Sequence, residues 1–486
     1  MVRTLSKDVS AARALRVAGT ALAPVIMLCS VVTAGPAADR EAPPGGHVSL
    51  IAVPETGSSR LFRLTCRNGL PVSIDSRPGS RTVFIQIGVR VGSRDEPLRL
   101  AGMSHLLEHL LFKEGHGEGT RRNPAFSALR GAGGVINAST EFEQTEYHAD
   151  LPAERFEEGW HALVSLVTET AFGDEDVARE RGVVLQEVAM GKTDPLSIMA
   201  YSVLRRVFPG DPIGQPIIGF RRTLSSITTA DARDHYRRFY VPANMFAVIV
   251  GDVDPEQAAA LVESTLGTLG GTDFSHPAYP APAARTESLY RFRTLVKQSY
   301  LLAGALTGGE IAPDSMALDL LSTVLGGGRS SRLQQRLVER QALTDQVIAL
   351  NFSVSNAGAF GAGCAVDTHR SEETRGILLD EIGRLAREPV SEEELATALR
   401  LLHGRLSLLF ETNEGVAAFR AQRMLRRQPL SRDDYLAQAD RLTSDDLLAA
   451  ARAHWGAAPP VEIQVLPARG PGKILAALKF LIFRRL

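Results

Sequence analysis

One stretch, GGTDFSHPAYPAPAART from Gly270 to Thr286, constrains the fold most. Pro277, Pro280 and Pro282 stand among small residues with no apolar period, which marks an interdomain linker at 271–284. A chain of 486 residues also exceeds what one core accommodates. Two domains are therefore expected, at 51–270 and 285–470.

The element order on the two sides of this linker is similar. In the first half, apolar runs around Asn68-Gly69 predict a β-hairpin, and Val83–Val91 alternates with period two as a half-buried strand. A helix follows over Ala101–Phe112, then an extended stretch over Val135–Tyr147. Helices over Phe156–Thr170 and Asp174–Met190, a strand over Met245–Val250 and a helix over Pro255–Leu266 complete the half. In the second half a strand at Ser299–Ala305 precedes a helix at Met316–Leu325. Strands at Val347–Val354 and Gly361–Val366 follow, with long helices to about residue 456. The expected class is α+β: two similar domains, each a mixed sheet with helices packed on one side, as an ancient duplication would leave.

Net charge is −1, with no basic run or nucleic-acid motif, so no nucleic-acid partner is expected. Cys29, Cys66 and Cys364 cannot build a disulfide framework, and the latter two read as buried thiols. Arg3, Lys7, Arg13 and Arg16 precede an apolar stretch, Val17–Val32, and then small residues. This pattern predicts a secretory signal within 1–34, or an uncleaved anchor, and hence a bacterial envelope or periplasmic location. Residues 35–50 form a Pro/Gly-rich lead-in. The tail at 471–486 is apolar with basic ends. It is too short to span a bilayer, and can lie on a membrane surface or dock on its own domain.

His105-Leu106-Leu107-Glu108-His109 carries the chemistry. Histidines at i and i+4 share a helix face and can reach one ion, with Glu108 beside them. Three polar side chains flanked by Leu106, Leu107, Leu110, Leu111 and Phe112 need buried partners. A peptidase zinc site takes three protein ligands and leaves one open position. Glu180 and Glu187, about two helical turns apart, share a face, and spacing leaves either available as the third.

At these residues the chain resembles the insulinase/pitrilysin family, specifically its short members similar to mitochondrial processing peptidase and bacterial relatives. The resemblance spans roughly residues 60–460. It rests on Asn68-Gly69-Leu70, VGSRDE (91–96), HLLEHLLFK, Asn137-Ala138-Ser139-Thr140, TEY (145–147), ERGVVLQE (180–187), PIGQPIIG, FYVPANM, VIVGDVDP and LGGGRSSRL (325–333). It implies half of a clamshell enclosing extended or unfolded peptides. It further implies zinc (Zn2+) held by His105, His109 and Glu187, Glu108 as general base, and Glu180 as a carboxylate needed for activity without ligating. Asn137 and Ala138 would lie on the edge strand that receives substrate, though spacing alone equally makes Asn137 a turn residue. Arg329 and Arg332 would face substrate from the second domain. Where the family reads Leu-Ala-Tyr, this chain reads Leu343-Thr344-Asp345, and Asp345 cannot donate to an oxyanion. The expected partner is therefore a sister subunit carrying the Arg/Tyr pair, in a heterodimer, with a homodimer as the alternative. The rival reading is a non-catalytic or weakly active subunit of a peptidase or scaffold complex.

Overall fold

The computed structural model describes residues 49–57, 59–112, 124–169, 172–191, 201, 203–270, 274–276, 278–280, 289–294, 296–456 and 460–468. The expected signal segment, most of the lead-in and the basic tail lie outside these residues. Among the described residues no helix is long and apolar enough to cross a membrane.

The first domain is built on seven strands: β1 (Ile51–Val53), β2 (Arg60–Thr65), β3 (Pro71–Ser76), β4 (Thr82–Val89), β5 (Val135–Thr140), β6 (Thr145–Pro152) and β7 (Met245–Gly251). Their order across the sheet is β1-β2-β3-β7-β4-β6-β5. Only β3 and β7 run parallel; the other pairs are antiparallel. The second domain has five: β8 (Leu289–Thr294), β9 (Ser299–Thr307), β10 (Val347–Val354), β11 (Ala357–Val366) and β12 (Val461–Pro467), in the order β10-β11-β9-β12-β8. Read from β3 and from β8, the two sheets have the same strand order, and each closes on one parallel pair, β3–β7 or β8–β12.

Each sheet carries its own domain's helices on one face. Val83, Ile85, Ile87 and Val89 of β4 meet Leu106, Leu107 and Leu110 of the helix Met103–Leu111 and Leu163 of the helix Phe156–Thr168 in the larger core. In the second domain Leu301, Ala303 and Phe360 meet Leu318 and Leu321 of the helix Ser315–Gly326 and Trp455 of the helix Ser444–Trp455.

The opposite face of the first sheet is covered by the second half of the chain. Val416, Ala417, Ala421 and Met424 of the helix Asn413–Leu425 pack on Phe84, Phe246, Val248 and Val250. At the same seam the fully buried Arg420 pairs with Asp75 (2.8 Å) and Glu55. The segment around Tyr279 also docks rather than merely spacing the halves. Its hydroxyl donates to Asp95 Oδ1 (2.9 Å), and its ring lies under the Arg94 guanidinium at 4.2 Å. Cys66 and Cys364 are buried free thiols, and burial pushes both up to about 12.

Candidate zinc site

The helix Met103–Leu111 starts at Gly102, whose φ of +96° suits glycine. Glu96 accepts from the backbone N–H of Gly102 (2.7 Å) and of Ser104 (2.6 Å), satisfying donors that a helix start leaves open. A side chain on Gly102 would strike Ile218, and one on Gly219 would strike Ala101 and Gly102. These backbone crossings hold the PIIG segment beside the helix start, and the Glu96 bonds hold VGSRDE there. Its leucines face the core, which turns His105, Glu108 and His109 toward the helix Asp174–Gly191 and the edge strand β5.

Three of the expected ligands converge. His105 Nε2 lies 3.8 Å and His109 Nε2 3.7 Å from the same oxygen, Glu187 Oε2. One ligand atom from each residue falls within 4.8 Å of the others, and no second such cluster occurs among the described residues. Tetrahedral zinc with bonds of about 2.0 Å has ligand atoms about 3.3 Å apart, and both imidazoles stand within about 0.5 Å of that spacing from the Glu187 oxygen. Burial, aided by the neighbouring His109, drives His105 down to about 3, which keeps it in the neutral, ligating form. The donor set of two imidazoles and a carboxylate suits zinc.

Glu180 is set apart from this triad. Its Oε2 lies 4.0 Å from His109 Nδ1, on the far side of the ring, and Arg179 holds its other oxygen at 3.2 Å. This places a carboxylate behind the His109 ring, beyond hydrogen-bond reach of it. Glu108 stands between the helix and β5, where it accepts from the Thr140 hydroxyl at 2.6 Å. Burial pushes Glu108 up to about 7, the Thr140 hydroxyl opposes that rise, and the charges of Glu187 and Glu146 add to it.

Asn137 and Ala138 lie on β5, the outermost strand, which among the described residues pairs with β6 alone. Asn137 pairs in register with His148 of β6, so it is a strand residue and not a turn, and its Oδ1 accepts from the Ala138 N–H at 3.0 Å. Arg329 and Arg332 are engaged inside the second domain. Arg332 makes a bidentate pair with Glu394 (2.6 and 2.8 Å), which commits its guanidinium locally. Arg329 is exposed, with two long bonds to Glu339 Oε1 (3.3 and 3.4 Å), and is the freer of the two. Asp345 is exposed in the turn before β10. Sequence reasoning passed over Thr140 and Glu143 as site residues; the signal for Thr140 was its place at the end of the Asn-Ala-Ser-Thr run.

Two family models match the chain. One described as "Insulinase (Peptidase family M16)" covers residues 72–220, and one described as "Peptidase M16 inactive domain" covers residues 226–402. An uncharacterized zinc protease of Mycobacterium tuberculosis is 30% identical over 396 residues, covering 80% of this chain and 90% of its own length. Another, of Streptomyces coelicolor, is 28% identical over 424 residues, covering 84% and 90%. A Helicobacter pylori protease shares the fold at a TM-score of 0.74 and 21% identity, over 84% of this chain and all (100%) of the other. Pitrilysin does so at 0.73 and 17%, over 90% of this chain and 50% of its own. The chain belongs to the insulinase family of zinc peptidases, and its two domains correspond to half of a pitrilysin-like clamshell.

Proposed function

We propose that the protein is a zinc-dependent endopeptidase acting on extended peptides, with His105, His109 and Glu187 as metal ligands and Glu108 as general base. The observation that carries this reading is the convergence of both imidazole Nε2 atoms on one Glu187 oxygen, with the Glu108 carboxylate beside them. Zinc there supplies Lewis-acid polarisation of the scissile carbonyl and acidifies water toward pKa ~7. Glu108 accepts the proton and passes it to the leaving amine. Glu180 stands behind His109 as a nearby carboxylate that does not join the ligand triad. The free edge of β5 offers main-chain groups to a substrate strand, which favours extended peptides whatever their side chains.

The partner and the location belong to the same proposal. Asp345 provides no phenolic donor, so a sister subunit bringing an Arg/Tyr pair would complete oxyanion stabilisation. The basic apolar stretch at the N-terminus supports an envelope location. Metal analysis of the purified chain tests the core reading. One zinc per chain is expected, with Glu187→Gln and His105→Ala lowering occupancy to a similar degree. Full zinc retention in Glu187→Gln would move the third ligand elsewhere. The partner reading is tested by adding a tyrosine-bearing family member, which should raise turnover strongly; full activity of the chain alone, unchanged by Asp345→Ala, overturns it.

A further inference from the structure

Thr140 is the last residue of β5, and its hydroxyl occupies one oxygen of Glu108 at 2.6 Å. A hydroxyl donating to a carboxylate is a short, strong contact that fixes the plane of the group. The second oxygen, Oε1, is not engaged by this hydroxyl. Thr140 itself is held from behind. It pairs in register with Thr145 of β6, whose hydroxyl is tied to the Val91 carbonyl at 2.9 Å.

The turn that follows Thr140 is pinned on both sides. The Ser93 N–H donates to the Glu141 carbonyl (3.0 Å) and the Arg94 N–H to the Phe142 carbonyl (2.7 Å). Glu143, at the tip, has both oxygens saturated. Oε1 takes Arg94 Nη1 (2.7 Å) and the Ser355 hydroxyl (2.7 Å), while Oε2 takes Arg426 Nη1 (2.6 Å) and the Ser355 N–H (3.0 Å). Ser355 and Arg426 belong to the second half of the chain. Burial works against the Glu143 charge, but Arg426, Ser355 and Arg94 outweigh it and hold the carboxyl below its ordinary range.

We propose that Thr140 is a positioning residue for Glu108, and that Glu143 anchors the Thr140 turn to the C-terminal domain, which thereby serves the zinc site in cis. The inference rests on the reading of Glu108 as the base. It gives the C-terminal domain a task in every copy of this chain, independent of any partner subunit. It also couples substrate docking on β5 to base alignment, because one strand does both. A misplacement of about 1 Å at a reacting group can cost about 10²-fold.

The test uses the zinc-loaded full chain and a fluorogenic peptide. Thr140→Val keeps the shape and removes the donor; kcat should fall about 10- to 100-fold, with KM within about twofold and zinc content unchanged. Thr140→Ser should restore kcat to within about threefold. Ser355→Ala should show a smaller kcat-only loss that is not additive with Thr140→Val. Normal kcat in Thr140→Val, a loss seen in KM alone, or failure of serine to rescue overturns the inference. Additive losses overturn the link to the second domain. Glu108→Gln separates the two layers. If that variant is inert and Thr140→Val is normal, only this inference falls; if Glu108→Gln turns over normally, the peptidase reading falls first.

Discussion

The two domains repeat one wiring diagram and put it to different uses. In each, a helix following the second strand of the repeat presents a carboxylate toward the edge strand: Glu108 toward β5 and Asp319 toward β10. In each, an edge-strand side chain donates to that carboxylate, Thr140 to Glu108 at 2.6 Å and Asn351 to Asp319 at 2.9 Å. In each, a later long helix packs alongside, Asp174–Gly191 in the first domain and Glu392–Leu409 in the second. The surroundings then diverge. Glu108 has two imidazoles and Glu187 beside it, whereas the helix Ser315–Gly326 carries no histidine. The one histidine on Glu392–Leu409, His403, pairs instead with Asp440. Burial, only partly offset by Asn351, pushes the Asp319 carboxyl well above the ordinary carboxylate range. An acid facing an edge-strand donor is thus a property of the architecture. Among the described residues, only the first domain adds two imidazoles and a second helix's carboxylate to it.

The largest expected effect breaks this comparison directly. Glu108→Gln should retain zinc and lose ~10²–10⁴ in peptide turnover, while Asp319→Asn leaves turnover unchanged. A loss of similar size from Asp319→Asn would mean that both carboxylates serve the reaction.

Next in size is the seam. Arg420→Met leaves Asp75 and Glu55 buried without their partner, and should cost about 3–5 kcal/mol in urea unfolding. A loss under about 1 kcal/mol would mean that apolar packing alone joins the halves.

The smallest effect depends on pH and belongs to the first domain. Burial, with a lesser push from Arg238, drives His235 down to about 3. It is neutral in the fold, and the unfolded chain takes up its proton below the ordinary histidine pKa of about 6.5. The stability it permits is therefore complete above that value and is lost as pH falls below it, by about 2 kcal/mol at pH 5. His235→Phe should flatten this part of the stability profile, and an unchanged slope between pH 6.5 and 5 would exclude the residue.

Much of this could be read without coordinates. The helix of His105 and His109 is legible because its spacing states its geometry, and the similar halves are legible from element order. Helical spacing alone cannot decide between Glu180 and Glu187, because both lie on one face; the family resemblance points to Glu187, and packing puts Glu187 at both imidazoles and Glu180 behind one. The stretch Val135–Tyr147 reads as one extended segment but is a hairpin. Its turn, Glu141-Phe142-Glu143-Gln144, contains none of the usual turn formers and is held by distant partners at Ser93, Arg94, Ser355 and Arg426. Strands β8 and β12 are not among the expected elements, although Val461–Val465 alternates with period two; they pair with one another from opposite ends of their domain.

The helix Asn413–Leu425, lying on the first domain's sheet, has a consequence for biosynthesis. Phe84, Phe246, Val248 and Val250 are complete as a surface once β7 has formed, but their cover is encoded far downstream. At ~5–20 residues per second, the interval before residue 425 is made is on the order of ten seconds or more. Through that interval the nascent first domain presents an aromatic and β-branched sheet face to water. Folding of this half is therefore finished by the arrival of the other, and a chain truncated after the first domain will aggregate or recruit a chaperone.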